Sequence, residues 1–348
     1  VAVADGLLMD SVYGMVARVM TGAVLSMVDA VTDIYVIVSY YRSEKLKTQA
    51  NIFLAMISGN TVFQIIAILS TQQKKGWGGK LKEVLIAIFF LRPAVDAYRV
   101  STNYKDEDST MNSFDMLVMN KGMELATESI PGCVLQLFVI FSNPEEVVGF
   151  SRIASIGINA LTTGFASAMI AYDFDVDVNR RKNQPLFYGY LPDDNTKRFR
   201  CLVLMTLVSA THNLSRSVGC ALLLAGSRKT VGVAVIVGEV GLYMAYKMAR
   251  GDMWYWPRVD GVGAGAMAFL QRLLVYIVTS FTGCLHFRHP YELGALTFSM
   301  NMVIAQVMPF VALWLWESEE EEGGDEEGDR LYHLDRRPSE NTYRFDVG

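Results

Sequence analysis

Apolar blocks long enough to cross a bilayer recur from one end of this chain to the other, and they restrict its fold more than any other feature. A spanning helix needs about 20 mainly apolar residues to cross roughly 30 Å of hydrocarbon. On that measure, spans are predicted near 14–41, 50–71, 113–141, 147–172, 201–226, 229–249, 264–286 and 291–316. In lipid the backbone must satisfy its own polar groups, so each block is expected to be helical. Residues 83–98 are apolar too, but Arg92-Pro93 break them after a half-length run, which predicts a re-entrant segment. The expected fold is therefore all-α: a polytopic membrane helix bundle of about eight transmembrane helices plus one re-entrant segment, over residues 1–316. With 51% hydrophobic and 19% charged residues, the chain is too apolar for a disordered or disulfide-stapled secreted protein.

Residues 317–348 differ sharply, and a disordered acidic C-terminal tail is expected there. Nine acids and no base lie between 317 and 329, and setting them aside turns the net charge of −5 into +4. A mildly basic membrane body suits anionic cytoplasmic lipid and falls far short of a nucleic-acid binder. Loop charges orient the bundle. Arg180, Arg181, Lys182, Lys197, Arg198 and Arg200 place the 173–200 connection in the cytoplasm, and the base-free 143–146 loop falls outside. Lys74, Lys75, Lys80 and Lys82 then lie inside, with both termini, and only the loop bearing Arg42, Lys45 and Lys47 disagrees. Trp254, Tyr255, Trp256, Trp314 and Trp316 sit at segment ends, where amphipathic rings prefer the interface. Cys133, Cys201, Cys220 and Cys284 lie in apolar segments as packed thiols, and the sequon at Asn213 falls inside a span.

Ionisable residues inside the predicted spans carry the functional signal. Asp29 and Asp33 are four apart, and Lys121, Glu124 and Glu128 follow at offsets of three and seven, so each set shares a helix face. Arg216, Glu239 and Arg272 are each flanked by apolar sequence. A charge at a helix centre costs about 2.5–3.5 kcal/mol or more, so these eight residues must pair or line a hydrated path. Five acids against three bases forbid full pairing in the ionised state. Pro131 is expected to break its span, freeing a carbonyl that could coordinate an ion. No ATP-binding GxxxxGK[ST], no GxSxG, HExxH or DxDxDG pattern and no TVGYG-like filter is present, so a transporter-like protein rather than an enzyme is expected, with no cofactor. His286 and His289, three apart, are a weak metal signal, and no metal site is assigned.

Residues 121–137, reading KGMELATESIPGCVLQL, resemble the XK-related membrane proteins, whose members carry Lys, Glu and Glu at this spacing within E-S-x-P-Q-x-x-L-Q-L. Asp29 and Asp33 in VDAVTD look like that family's paired aspartates, and Arg92-Pro93 and Arg216 are similarly placed. The resemblance covers roughly residues 20–250. It implies a phospholipid scramblase-like protein of the plasma membrane with eight spans, re-entrant helices and cytoplasmic termini. It also implies that Asp29, Asp33, Lys121, Glu124, Glu128 and Arg216 form an intramembrane staircase for lipid head groups, to which Glu239 and Arg272 could add. Gly132 stands where the family usually has Gln, and Asp325 and Asp329 lack the spacing of a caspase site. Three functions are expected to compete: energy-independent phospholipid scrambling, an ion channel or proton-coupled transporter using the same acids, and a non-catalytic membrane scaffold. Phospholipids are the expected partners, together with a membrane partner subunit or a basic cytoplasmic protein at the acidic tail, and no nucleic acid.

Overall fold

The computed structural model describes residues 12–72, 74–104, 109, 111–143, 150–178, 182, 191–192, 194–226, 229–251, 264–283 and 299–314. Its regular elements are helical throughout these residues: α1 (Val12–Tyr41), a 3-10 turn at Glu44–Leu46, α2 (Lys47–Thr71), α3 (Trp77–Ile88), α4 (Arg92–Ser101), α5 (Ser113–Glu124), a π turn at Leu125–Ser129, α6 (Ile130–Ser142), α7 (Phe150–Val176), α8 (Asn195–Ala225), α9 (Lys229–Ala249), α10 (Ala264–Phe281) and α11 (Ser299–Trp314). The acidic tail, the 254–256 aromatic cluster, Trp316, Cys284, His286 and His289 lie outside the described residues.

Among the described residues, five helical stretches are long and apolar enough to cross a membrane: Gly14–Tyr41, Glu44–Thr71, Ser113–Ser142, Ser151–Val176 and Thr230–Ala249. The other three predicted spans fall on α8, α10 and α11. Helix α8 begins at Asn195 rather than 201, taking Lys197, Arg198 and Arg200 into its first turns, while the apolar parts of α10 and α11 are short. Helix α7 runs on to Val176, past its predicted end at 172. Between α2 and α5 the chain makes a hairpin of two short helices, parted at residues 89–91 beside the Arg92-Pro93 interruption that the sequence predicts. Phe90 takes a left-handed backbone (φ 56°) and Pro93 sits in the first turn of α4, where its missing N–H costs nothing.

Helix α1 shows how the chain distributes polarity. Val19, Ala23, Ser26, Asp29, Asp33, Val36 and Tyr40 are buried at intervals of three and four residues. Val24 and Val31, on the other side, are 58% and 67% exposed. Polar groups inside and apolar groups outside is the pattern that a hydrocarbon solvent selects, and in water such a surface would aggregate. The inner face of α1 packs on α4, α7 and α2. One apolar cluster joins Val36, Ile37 and Tyr40 to Phe53, Ile57, Leu135 and Val139. A second joins Val19 and Ala23 to Ala97, Val100, Leu117 and Met169. Asp29 and Asp33 lie on α1 between these two clusters.

The packing of α7 on α8 depends on a missing side chain. A Cβ on Gly164 would stand 2.5 Å from the Thr206 carbonyl oxygen and 2.8 Å from Ala210 Cβ. Small residues let membrane helices approach backbone to backbone. Gly164→Ala is therefore expected to destabilise the fold by about 1–3 kcal/mol through overpacking, read as a lowered midpoint of thermal unfolding in detergent. An unchanged midpoint would show that the two helices part without cost.

Candidate functional site

Helix α1, helix α5 and the π turn at Leu125–Ser129 bring Asp29, Asp33, Lys121, Glu124 and Glu128 into one buried cluster. On α5, Lys121 Nζ reaches Glu124 Oε2 at 2.9 Å, the three-residue pair the sequence spacing predicts. Lys121 also donates to Ser26 of α1, whose hydroxyl donates to Glu124 Oε1 at 2.8 Å. Glu128 turns instead to α2, where Asn60 Nδ2 donates to its Oε2 at 2.5 Å. Asp29 lies within electrostatic range of Glu124 and Lys121, and Asp33 within range of Asp29, Glu124 and Glu128. Gln136 of α6 offers Asp33 one long hydrogen bond of 3.4 Å.

The two glutamates reach different helices across the π turn at Leu125–Ser129. Pro131, expected to break this span, sits in the first turn of α6 just beyond the π turn, and helix continues from Ser113 to Ser142. The wider turn accommodates the proline ring and its missing N–H, and such π turns gather at functional sites. The next residue, Gly132, lies against α2: a Cβ there would meet Phe53 Cε2 at 3.0 Å. A glutamine at 132 would need Phe53 to move, and Gln136, one turn on, supplies an amide to the cluster instead.

The electrostatics of this cluster are unbalanced. Four carboxyl groups face the single ammonium of Lys121, and all but Glu124 belong to buried residues, Asp33 at 0% and Asp29 at 3% exposure. Asp29 Oδ1 and Asp33 Oδ2 make no hydrogen bond. Unpaired anionic charge is costly at low dielectric, so the cluster is stable only with protons, a cation or a cationic group supplied to it.

Arg216 stands apart. On α8 its Nη2 donates to Glu239 of α9 and, at 3.3 Å, to the Tyr276 hydroxyl of α10, and its guanidinium lies 5.1 Å from the Phe281 ring centre. Its Nε and Nη1 are buried and unpartnered. Cys133, a buried free thiol of α6, lies within electrostatic range of Asp29 and Asp33 and close to Ser217, the neighbour of Arg216. Arg272 is fully buried on α10 and engaged in an interaction of its own. Asn213, the sequon residue, is buried, as expected for a site inside a span. Among the described residues no group of three or more His, Cys, Asp or Glu could hold a metal ion.

Among the buried charges that escaped the sequence reading are two groups. Arg18 of α1 meets Asp173 of α7 at 2.5 Å and lies 4.5 Å from the Tyr172 ring centre. In the α3–α4 hairpin, Glu83 accepts from Arg92 at 2.8 Å, from Arg99 and from Lys75 at 3.2 Å. Asp96 adds contacts to Arg92 at 3.1 Å and to Asn120 of α5 at 2.7 Å. The signal available was Glu83, Arg92, Asp96 and Arg99 at helical spacing in an otherwise apolar stretch. Burial pushes the Glu83 carboxyl up, but the hydrogen bonds and charge of Arg99, with Arg92 and Lys75, outweigh it and bring it from 4.5 down to about 2.

Comparison of the chain with known protein families, with curated proteins and with solved structures finds no match in any of the three.

Proposed function

We propose that this chain moves phospholipids between bilayer leaflets without an energy source, using the buried cluster of Asp29, Asp33, Lys121, Glu124 and Glu128 as the resting place for lipid head groups. The observation that carries the reading is the four-to-one excess of carboxyl groups with two unpartnered oxygens, placed on the inner face of a helix whose outer face is apolar and exposed. A zwitterionic head group brings an amine and a phosphate together, and each is costly in hydrocarbon. The amine finds Asp29, Asp33 and Glu128. The phosphate finds Lys121 and then Arg216, which has two buried N–H groups to offer. The resemblance of residues 121–137 to the XK-related proteins supports the same reading. In the conformation described here the cluster is buried, so passage requires α1 to separate from a neighbour.

Purified protein in vesicles holding a fluorescent lipid supplies the test. Wild type is expected to expose inner-leaflet label to an external quencher faster than empty vesicles do. Glu124→Gln and Arg216→Ala are each expected to slow that exposure about tenfold, the effect of about 1.4 kcal/mol on the barrier. Wild-type protein that matches empty vesicles, also after opening stimuli such as calcium or low pH, overturns the reading.

The excess of acids over bases also favours an ion channel or proton-coupled transporter, with the unpartnered carboxylate oxygens as proton acceptors. Currents whose reversal potential follows one cation, without lipid movement, would select that function. A scaffold is the third reading, favoured by the near-complete burial of the cluster. It expects loss of a basic cytoplasmic partner on deletion of residues 317–348, with both vesicle assays at background.

A further inference from the structure

The α3–α4 hairpin carries a second feature, separate from the carboxylate cluster. Leu81, Leu85, Ile86, Phe89 and Leu91 line an open hollow of about 330 Å3, and Lys82 is the one charged side chain in its wall. That volume lies at the small end of ligand pockets. Gly78 leaves one end clear, since a Cβ there would meet nothing within 4 Å. At the other end the left-handed turn at Phe90 brings Leu91 across.

The hollow is held in place from behind. Glu83, buried, is bound by Arg92, Arg99 and Lys75, so α3 cannot roll without breaking these pairs. Lys82, one residue earlier, is exposed and enters no hydrogen bond or ion pair among the described residues. Lys74 and Lys80 share its segment, with no acid between residues 74 and 82, and Lys80 Nζ stands 5.8 Å from the centre of the exposed Trp77 ring. An apolar slot, an indole at its margin and unneutralised lysines match the parts of one kind of molecule: an acyl chain, an interfacial glycerol region and a phosphate. The net charge of the ligand follows from the same residues. A zwitterionic lipid brings its own ammonium and leaves the lysines unneutralised, whereas an anionic lipid completes them.

We propose that this hollow binds one acyl chain of an anionic phospholipid, with Lys82 on its phosphate. The site does not depend on whether the chain transports lipid. The test uses the full chain in mixed phosphatidylcholine and phosphatidylserine vesicles, doped with a trace of either lipid carrying a diazirine in its tail. After illumination, labelled peptides are mapped by mass spectrometry. The phosphatidylserine probe is expected to label residues 78–91 more than the phosphatidylcholine probe does. Lys82→Gln is expected to lower phosphatidylserine labelling there about fivefold, the equivalent of about 1 kcal/mol per surface lysine, and to lower phosphatidylcholine labelling less, since that lipid's ammonium already offsets its phosphate. Leu85→Trp, which fills the hollow, is expected to remove both. Both residues are exposed, so the variants keep the wild-type unfolding midpoint as a control on folding. Equal labelling by the two probes, indifference to Lys82→Gln, or labelling no denser at 78–91 than on the exposed faces of α1 and α2 overturns the proposal.

Discussion

Replacing Glu83 by alanine is expected to remove about 3–5 kcal/mol of stability, the range seen when one partner of a buried ion pair is deleted. Glu83 is the hub of the α3–α4 hairpin: Arg92, which is almost wholly buried, and the partly buried Arg99 and Lys75 all converge on it. Without it Arg92 keeps Asp96, but its guanidinium stays in the interior with less to neutralise it. The variant protein should unfold at clearly lower temperature in detergent. Glu83→Gln, which keeps the shape and some hydrogen bonds but loses the charge, should fall between. The pair Glu83→Met with Arg92→Met should recover much of the loss, because an apolar pair of similar volume removes both desolvation costs. Equal midpoints for wild type and Glu83→Ala would show that the network contributes nothing net.

The same carboxylate sets a pH dependence. Its folded value of about 2 lies below the ordinary 4.5, so its ionised form is favoured in the folded protein. The stability it contributes is complete above about pH 4.5 and is lost as the pH falls toward 2. Glu83→Gln should flatten that part of the stability profile. An equally steep acid limb in the variant would assign the limb to other carboxylates.

Asp33→Asn is expected to act in opposite directions on transport and on stability. The asparagine keeps the shape and removes one buried negative charge from a cluster that already has three other carboxyl groups, while the Gln136 amide can still meet its oxygen. Unfolding should therefore occur at equal or higher temperature. A charge-assisted hydrogen bond to a passing amine, worth about 1.5–3 kcal/mol, is lost, so lipid transfer should slow about ten- to a hundredfold. Higher stability with unchanged transfer would remove Asp33 from the path. Lower stability would mean that its ionised form is held by partners in the resting protein.

The alternation of apolar blocks and breaks made the helices legible, because the 20-residue requirement of hydrocarbon leaves a one-dimensional mark. Asp29, Asp33 and Lys121 with Glu124 and Glu128 were legible for the same reason, since charges in such blocks stand out and short offsets along a helix fix which share a face. The interruption expected at Pro131 takes the form of a π turn just before it, a form that leaves no pattern in sequence. Arg18 and Asp173 were missed because they lie 155 residues apart and only the packing of α1 on α7 joins them.

By itself the sequence determined that the chain is helical, with apolar blocks long enough to cross a membrane, and that acids lie within them. Both follow from local chemistry: hydrophobic length, and the cost of charge in an apolar run. Only the tertiary structure decided that four carboxyls gather around one lysine, that Arg216 answers to Glu239 rather than to them, and that Glu83 ties the hairpin together. Partner choice depends on which helices touch and at what rotation, and that is set by close packing at places such as Gly164 and Gly132, where the absence of a side chain admits a neighbour.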